Sequence, residues 1–345
     1  MNFAFRADAS STLGLGHVRR CLSLAHALRE RGANVAFFSC PSDGGVAAMV
    51  QAEGFASVAL GLAAPQGEVA DATAFVHAAR AFRPAAVVVD HYELGARWQR
   101  AVRSAMSVAL AAIDDTADRT HDVSVLVDPN FAPDHAAKYA GRLGPDTVLL
   151  GGPRYALLGP AYAMAPRHVP RPHVDSIGIF MGGADALNLS ETAFDACRVL
   201  AGFEGEIEIA TTTHNLNLER LTRRIAADHL TTLSLDQGDL AAFFARHGLH
   251  IGAGGGATWE RCCIGAPTLA AIVAANQRPV LLPLQARGVI ELVLQDPPTA
   301  DPMARALKTL LADAARRHQL SMNSQALVDG LGAPRVADQL FMLLP

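Results

Sequence analysis

The chain opens with an apolar run containing Phe3 and Phe5, which predicts a first strand, followed by a polar, glycine-containing stretch. From His17 onward Val18, Leu22, Leu24 and Leu28 recur at helical spacing and predict a helix with one apolar face. The same alternation continues through residue 150. Strands are expected at 34–39, 56–60, 86–89, 107–113, 123–127 and 148–150, and helices at 47–53, 68–82 and 97–105. These strands are continuous Val, Ala and Ile rather than apolar and polar in turn, as in a parallel sheet covered on both faces. Gly151, Gly152, Pro153, Gly159, Pro160, Pro166, Pro170 and Pro172 then punctuate the chain. A second alternating series begins at Ser176. Its strands are expected at 176–181, 207–210, 231–235, 250–251 and 268–273, with helices from there to Pro345. The pattern predicts an α/β protein of two Rossmann-like parallel-sheet domains facing each other across a cleft. Their expected limits are 1–150 and 175–345, joined by a connector over 151–174. The last helix is a candidate to pack back on the first domain.

Composition narrows the function classes. The chain has 345 residues, 50% of them apolar and 18% charged, with mean hydropathy +0.20. That length and apolar content suffice for two cores, and disorder is disfavoured. A net charge of −4 supplies no global basic field for nucleic acid or for an acidic membrane surface. No secretory leader pattern or bilayer-length apolar run is seen, so a cytoplasmic monomer without stable membrane association is expected. Cys21, Cys40, Cys197, Cys262 and Cys263 form no CxxC pair. Reduced, buried thiols are expected, and no metal site.

Polar residues collect where strands end, which is where open parallel sheets bind ligands. In the first half these are Asp8 to His17, then Asp90-His91-Tyr92, Asp114-Asp115 and Asp128-Pro129-Asn130. Each Asp taken alone reads as a cap or turn residue; four successive strand ends carrying Asp fit that account less well. Gly14 and Gly16 allow close backbone approach, and the helix start after them favours an anion. An imidazole at that point, His17, is a candidate base.

The second half carries Met181-Gly182-Gly183-Ala184-Asp185, then Thr211 to Asn215, and Gly254-Gly255-Gly256-Ala257-Thr258-Trp259-Glu260. The last is a glycine run ahead of a helix, suited to a diphosphate, with Glu260 placed to accept from ribose hydroxyls. Asn276 and Gln277 follow a strand and offer amides for sugar hydroxyl or N-acetyl groups. No Gly-Lys-Ser/Thr follows either glycine cluster, which excludes a Walker loop. Gly14-Leu15-Gly16 lacks the third glycine of a dinucleotide fingerprint, which disfavours NAD. No cofactor is expected.

The ordered set resembles the nucleotide-sugar hydrolases of pseudaminic acid biosynthesis, which release UDP from UDP-2,4-diacetamido-2,4,6-trideoxy-β-L-altropyranose. It consists of Phe5-Arg6-Ala7-Asp8, Gly14-Leu15-Gly16-His17-Val18-Arg19-Arg20, Asp90-His91-Tyr92, Asp114-Asp115, Tyr155-Ala156-Leu157-Leu158, Met181 to Asp185, Asn215, Glu260 and Asn276-Gln277. Such proteins look like the lipid II-forming GlcNAc transferases of peptidoglycan synthesis, with a two-domain GT-B fold. The resemblance implies His17 as general base with Asp8 and Tyr92 beside it. It implies Gly14, Gly16, Arg20, Gly182, Gly183, Asn215, Gly255, Gly256, Ala257 and Thr258 as substrate contacts, Glu260 on the ribose, and Asn276 and Gln277 on the sugar. The substrate side is then a UDP-sugar and water, reacting with inversion and without metal. Asp8 is a candidate to orient His17. A GT-B glycosyltransferase with a separate acceptor would use the same residues, and a nucleotide-sugar binding protein without turnover would not need His17.

Overall fold

The computed structural model describes residues 1–8, 16–41, 45–62, 67–295 and 297–344. Two compact units divide the chain. The first comprises residues 1–159 with 330–345, the second residues 160–329. The glycine- and proline-rich stretch 151–174 is shared between them. Its beginning closes the last strand of the first unit and forms the short turn Pro153–Tyr155, whereas helix Pro160–Met164 belongs to the second.

The first unit holds seven parallel strands: β1 (Asn2–Ala7), β2 (Asn34–Ser39), β3 (Ala56–Ala59), β4 (Ala86–Asp90), β5 (Ala109–Ile113), β6 (Val125–Asp128) and β7 (Val148–Gly151). Their order is β3-β2-β1-β4-β5-β6-β7. Period-2 alternation sends Phe3, Phe5 and Ala7 into one buried cluster, with helix Gly16–Glu30. Ala4, Ala36, Phe38, Val87 and Val89 enter a second cluster on the other face, with Phe75 and Trp98. Both faces are covered, which is why the strands read as continuous apolar runs. The C-terminal helix Gly332–Met342 packs in the first of these clusters, where the Phe341 ring lies 5.4 Å from that of Phe3.

The second unit has six parallel strands: β8 (Ser176–Phe180), β9 (Glu206–Thr211), β10 (Thr231–Leu235), β11 (Leu249–Ala253), β12 (Thr268–Ala271) and β13 (Glu291–Val293). The order is β10-β9-β8-β11-β12-β13. Strand β13 departs from the sequence pattern, which predicts only helices after residue 273. It has three residues and follows helix Arg278–Ala286, too short for a period to show. Its register against β12, Leu269 beside Glu291 through Ala271 beside Val293, is what identifies it.

Each sheet has one point where the chain reverses its direction of winding, between β1 and β4 in the first unit and between β8 and β11 in the second. Loops leaving the two strands at such a point diverge and leave a crevice at their carboxyl ends. Among the described residues no helix is long and apolar enough to cross a membrane.

Candidate functional site

At the reversal point of the first unit, Ala7 at the end of β1 lies in register with Asp90 at the end of β4. Helix Gly16–Glu30 crosses the same face and presents His17, Arg20 and Cys21 to that carboxylate. His17 is buried, and its Nδ1 lies 2.6 Å from Asp90 Oδ1. A carboxylate only accepts, so Nδ1 carries the proton and the lone pair of the ring is on Nε2. Arg20 grips the same carboxylate with two nitrogens, Nε to Oδ2 at 2.6 Å and Nη2 to Oδ1 at 2.7 Å. Its Nη1 donates to Asp115 at 2.9 Å. Burial by itself raises the Asp90 carboxyl; the charge of Arg20 and the bonds from Arg20 and His17 override it and hold the group well below the usual carboxylate range. Tyr92 stands edge-on to the His17 ring, with centroids 4.5 Å apart. Burial, and then the charge of Asp115, push the Tyr92 hydroxyl up to about 12, so it is a donor rather than a base near neutral pH.

Asp8 does not orient His17. Side chains alternate along β1, so Arg6 and Asp8 are directed away from the face on which His17 packs. Arg6 is fully buried, with Nη1 2.6 Å from Asp8 Oδ1, and its Nε and Nη2 bond Asp71 at 3.0 and 2.6 Å. Asp8 also accepts from the Cys40 amide at 2.8 Å and lies 3.4 Å from His91 Nε2. The carboxylate in contact with His17 is that of Asp90, 73 residues from it in the chain. Arg20, expected to touch substrate, commits its guanidinium to Asp90 and Asp115. Gly16 is exposed at the helix start, and Gly14 lies outside the described residues.

The remaining strand-end aspartates also carry their own cations. Asp114 is 3.0 Å from Arg119 and accepts from the Tyr139 hydroxyl at 2.9 Å; Asp128 is 2.6 Å from Lys138. Burial works to raise Asp8 and Asp114. Bonds from His91 and Arg6 to the first, and from His121 with the Arg119 charge to the second, outweigh it and depress both. These groups and Asp90 stay ionised in the fold where the unfolded chain takes up protons, so the unfolded state gains protons as pH drops. Stability conferred by the three is complete above the ordinary carboxylate value, near about pH 4, and is lost progressively below it. Urea unfolding midpoints are expected to fall steeply between about pH 4 and about pH 2, well below the value near neutrality. An unchanged midpoint would contradict the three depressed carboxyls.

In the second unit the turns that follow β8 and β11 come together at the other reversal point. Gly182 adopts φ of +95°, a conformation that L side chains rarely take, and the Gly183 carbonyl accepts from the Thr212 hydroxyl at 2.9 Å. Asp185 accepts from the amides of Leu189 and Ser190 at 2.8 and 2.9 Å and closes the start of helix Leu189–Asp195. Asn215 is buried and engaged within its own turn. It donates to the Thr211 hydroxyl at 2.9 Å and accepts from the Asn217 amide at 2.7 Å. Gly255 and Gly256 are exposed ahead of helix Ala257–Ile264, with Ala257 half-buried. A Cβ on Gly254 would fall 2.2 Å from Leu281 and 3.1 Å from Gln277 Oε1, so only glycine fits there. Gln277 thus lies against the turn, and its Oε1 accepts from the Val273 amide at 3.0 Å. Asn276 is exposed beside it. The Thr258 hydroxyl is turned inward, where it accepts from Arg261 at 3.3 Å. Glu260, half-buried, is hydrogen-bonded to the Tyr162 hydroxyl.

Three contributions are not apparent from the sequence. The pattern marks Asp90 only as one strand-end acid among four, and it does not single out Asp71 or Arg261. The charges of Asp71 and Arg261 within apolar helices are the available signal, since a charge on a packed face requires a partner.

No protein-family model matches the chain. It is similar to UDP-2,4-diacetamido-2,4,6-trideoxy-β-L-altropyranose hydrolase of Campylobacter jejuni, with 24% identity over 244 residues, 70% of this chain and 80% of that protein. Among solved structures, MurG of Acinetobacter baumannii superposes with a TM-score of 0.71 at 13% identity, covering 99% of both chains. The S. aureus MnaA–UDP co-structure superposes with a TM-score of 0.65 at 14% identity, over 99% of this chain and 96% of that one. The fold is therefore GT-B-like, two Rossmann-like parallel-sheet domains, and the resemblance read from the ordered motifs stands.

Proposed function

We propose that the chain is a UDP-sugar hydrolase in which His17 activates the attacking water. The observation that carries this reading is the buried His17–Asp90 contact of 2.6 Å, braced by the two-nitrogen grip of Arg20 and placed where open α/β sheets bind their ligands. Similarity to the C. jejuni hydrolase supports water as the acceptor and UDP-2,4-diacetamido-2,4,6-trideoxy-β-L-altropyranose as the substrate, a step of pseudaminic acid biosynthesis.

In this mechanism Asp90 holds the Nδ1 proton, and Nε2 takes a proton from water as its oxygen attacks the anomeric carbon with inversion. The imidazolium that forms is stabilised by Asp90. The C–O bond to UDP breaks as the new one forms, and its electron pair leaves with the β-phosphate. Tyr92 keeps its proton and is assigned a donor role toward the sugar. The glycine turns 182–183 and 254–256 and the start of helix Ala257–Ile264 are assigned the diphosphate, whose growing charge the backbone amides stabilise. Glu260 is assigned the ribose, and Asn276 and Gln277 the sugar amides. Asp8 is assigned a supporting place in the Arg6–Asp71 network, and Arg20 a positioning role. No step calls for a divalent ion, because Asp8, Asp90, Asp114 and Asp128 are each already matched by Arg6, Arg20, Arg119 and Lys138.

Proton NMR of the purified chain with this UDP-sugar in ¹⁸O-water, without acceptor, is the direct test. Release of UDP and free sugar with the label in the anomeric hydroxyl, undiminished by EDTA, is expected. Release of UDP only after an acceptor alcohol is added would instead make the protein a transferase. Loss of turnover in EDTA, restored by magnesium, would overturn the metal-free assignment.

A further inference from the structure

Arg261 differs from the buried Arg6 and Arg317 and the half-buried Arg20. Arg6 faces Asp8 and Asp71, Arg20 faces Asp90 and Asp115, and Arg317 caps the carbonyls of Leu310, Leu311, Arg171 and Pro172. Arg261 is 1% exposed, and among the described residues no carboxylate forms an ion pair with it. Its Nη2 donates to the Ala253 carbonyl at 2.7 Å and to the Thr258 hydroxyl at 3.3 Å. Those two groups flank the Gly254-Gly255-Gly256 turn on either side. Nε and Nη1 have no hydrogen-bond partner among the described residues. A Cβ built on Gly252 would meet Nη1 at 2.5 Å and the Phe180 carbonyl at 2.9 Å. The guanidinium thus lies against β11 beside the end of β8, below the starts of both glycine turns, and Gly252 makes room for it. Burial pulls its pKa down to about 10, which leaves it charged near neutral pH. The Phe244 ring lies 5.9 Å from its Cζ, and the Glu260 charge favours the charged form. A buried guanidinium without an ion-paired carboxylate nevertheless remains costly, and an anion brought to the turn above it would offset that cost in a medium of low dielectric.

We propose that Arg261 is a positioning residue for the diphosphate of the bound nucleotide, clamping the 254–256 turn from beneath and supplying the positive charge that the turn's amides alone lack. This rests on the assignment of that turn to the diphosphate. It selects for ligand charge: UDP gains from Arg261, UMP gains less, and uridine gains nothing.

Titration calorimetry of the full chain with UDP, UMP, uridine and inorganic pyrophosphate separates the possibilities. Arg261→Gln retains a donor for the Ala253 carbonyl but no charge, whereas Arg261→Lys retains the charge. The glutamine variant is expected to bind UDP about 10- to 100-fold more weakly, the range for a lost charge-assisted interaction, with uridine affinity unchanged. The lysine variant is expected to recover most of the preference for UDP over uridine. Gly252→Ala displaces the guanidinium without removing it. It is expected to weaken UDP selectively and decides the matter alone should the glutamine variant fail to fold. Wild-type preference for UDP over uridine in the folded glutamine variant, or in Gly252→Ala, overturns the role of Arg261 and leaves the diphosphate assignment standing. A wild type that binds neither UDP nor pyrophosphate overturns both.

Discussion

Replacing His17 by alanine is expected to lower kcat by about 10²- to 10⁴-fold, the range for a positioned general base, with little change in UDP affinity. The expectation follows from the division of labour between the two units. In the proposed mechanism the nucleotide is assigned to the glycine turns of the second, and His17 is assigned the attacking water. The Asp90 bonds to Arg20 at 2.6 and 2.7 Å do not involve the imidazole, so the change is expected to read chemistry rather than unfolding. Steady-state release of UDP and a separate measurement of UDP binding make the comparison. A variant that turns over within a few-fold of wild type would remove His17 from the mechanism and return the site to a binding role.

Asp90→Asn is expected to be damaging in two ways at once. An amide keeps the volume of the carboxylate but turns one of its two acceptors into a donor. Set against Arg20, that donor meets a guanidinium; set against His17, it meets the Nδ1–H. The first arrangement leaves the amide oxygen to accept from Nδ1–H but without the carboxylate charge that stabilises the imidazolium. The second releases the tautomer that keeps the lone pair on Nε2. In either case kcat is expected to fall by about 10²- to 10⁴-fold. Loss of the buried charge opposite Arg20 adds a stability cost of about 3 kcal/mol, the low end for breaking a buried pair because Asp115 is still in place at 2.9 Å. The urea midpoint and kcat should therefore both drop. Asp8→Asn is the control: it strains the Arg6 network and lowers stability while leaving the Asp90 bond to His17 intact, so its kcat is expected to stay well above that of Asp90→Asn. The reverse order would restore Asp8 as the residue that orients the base.

Much of the architecture is legible in the sequence. Continuous apolar runs such as Ala86 to Val89 announce strands buried on both faces, and all five residues of β4 are buried. The turns at 182–183 and 254–256 are legible too, because a glycine cluster directly after an apolar run marks the place where the backbone leaves the sheet and turns sharply. Short elements are not: β13 has three residues, less than two periods of any pattern.

The sequence by itself determined the two alternating series, the covered parallel sheets, the strand ends at which polar residues gather and the histidine that opens the first helix. These follow from local periodicity and from the backbone demands of glycine, both of which are properties of neighbouring residues. Only the tertiary structure decided which acid serves His17. Strands β1 and β4 are adjacent although 78 residues separate the end of one from the start of the other, and the alternation along β1 turns Asp8 to the opposite face. The same applies to Arg261, whose charge within an apolar helix is a signal in the sequence but whose burial without an ion-paired carboxylate among the described residues is decided by the fold. Pairing across a sheet is set by strand order and register, quantities that no local pattern encodes.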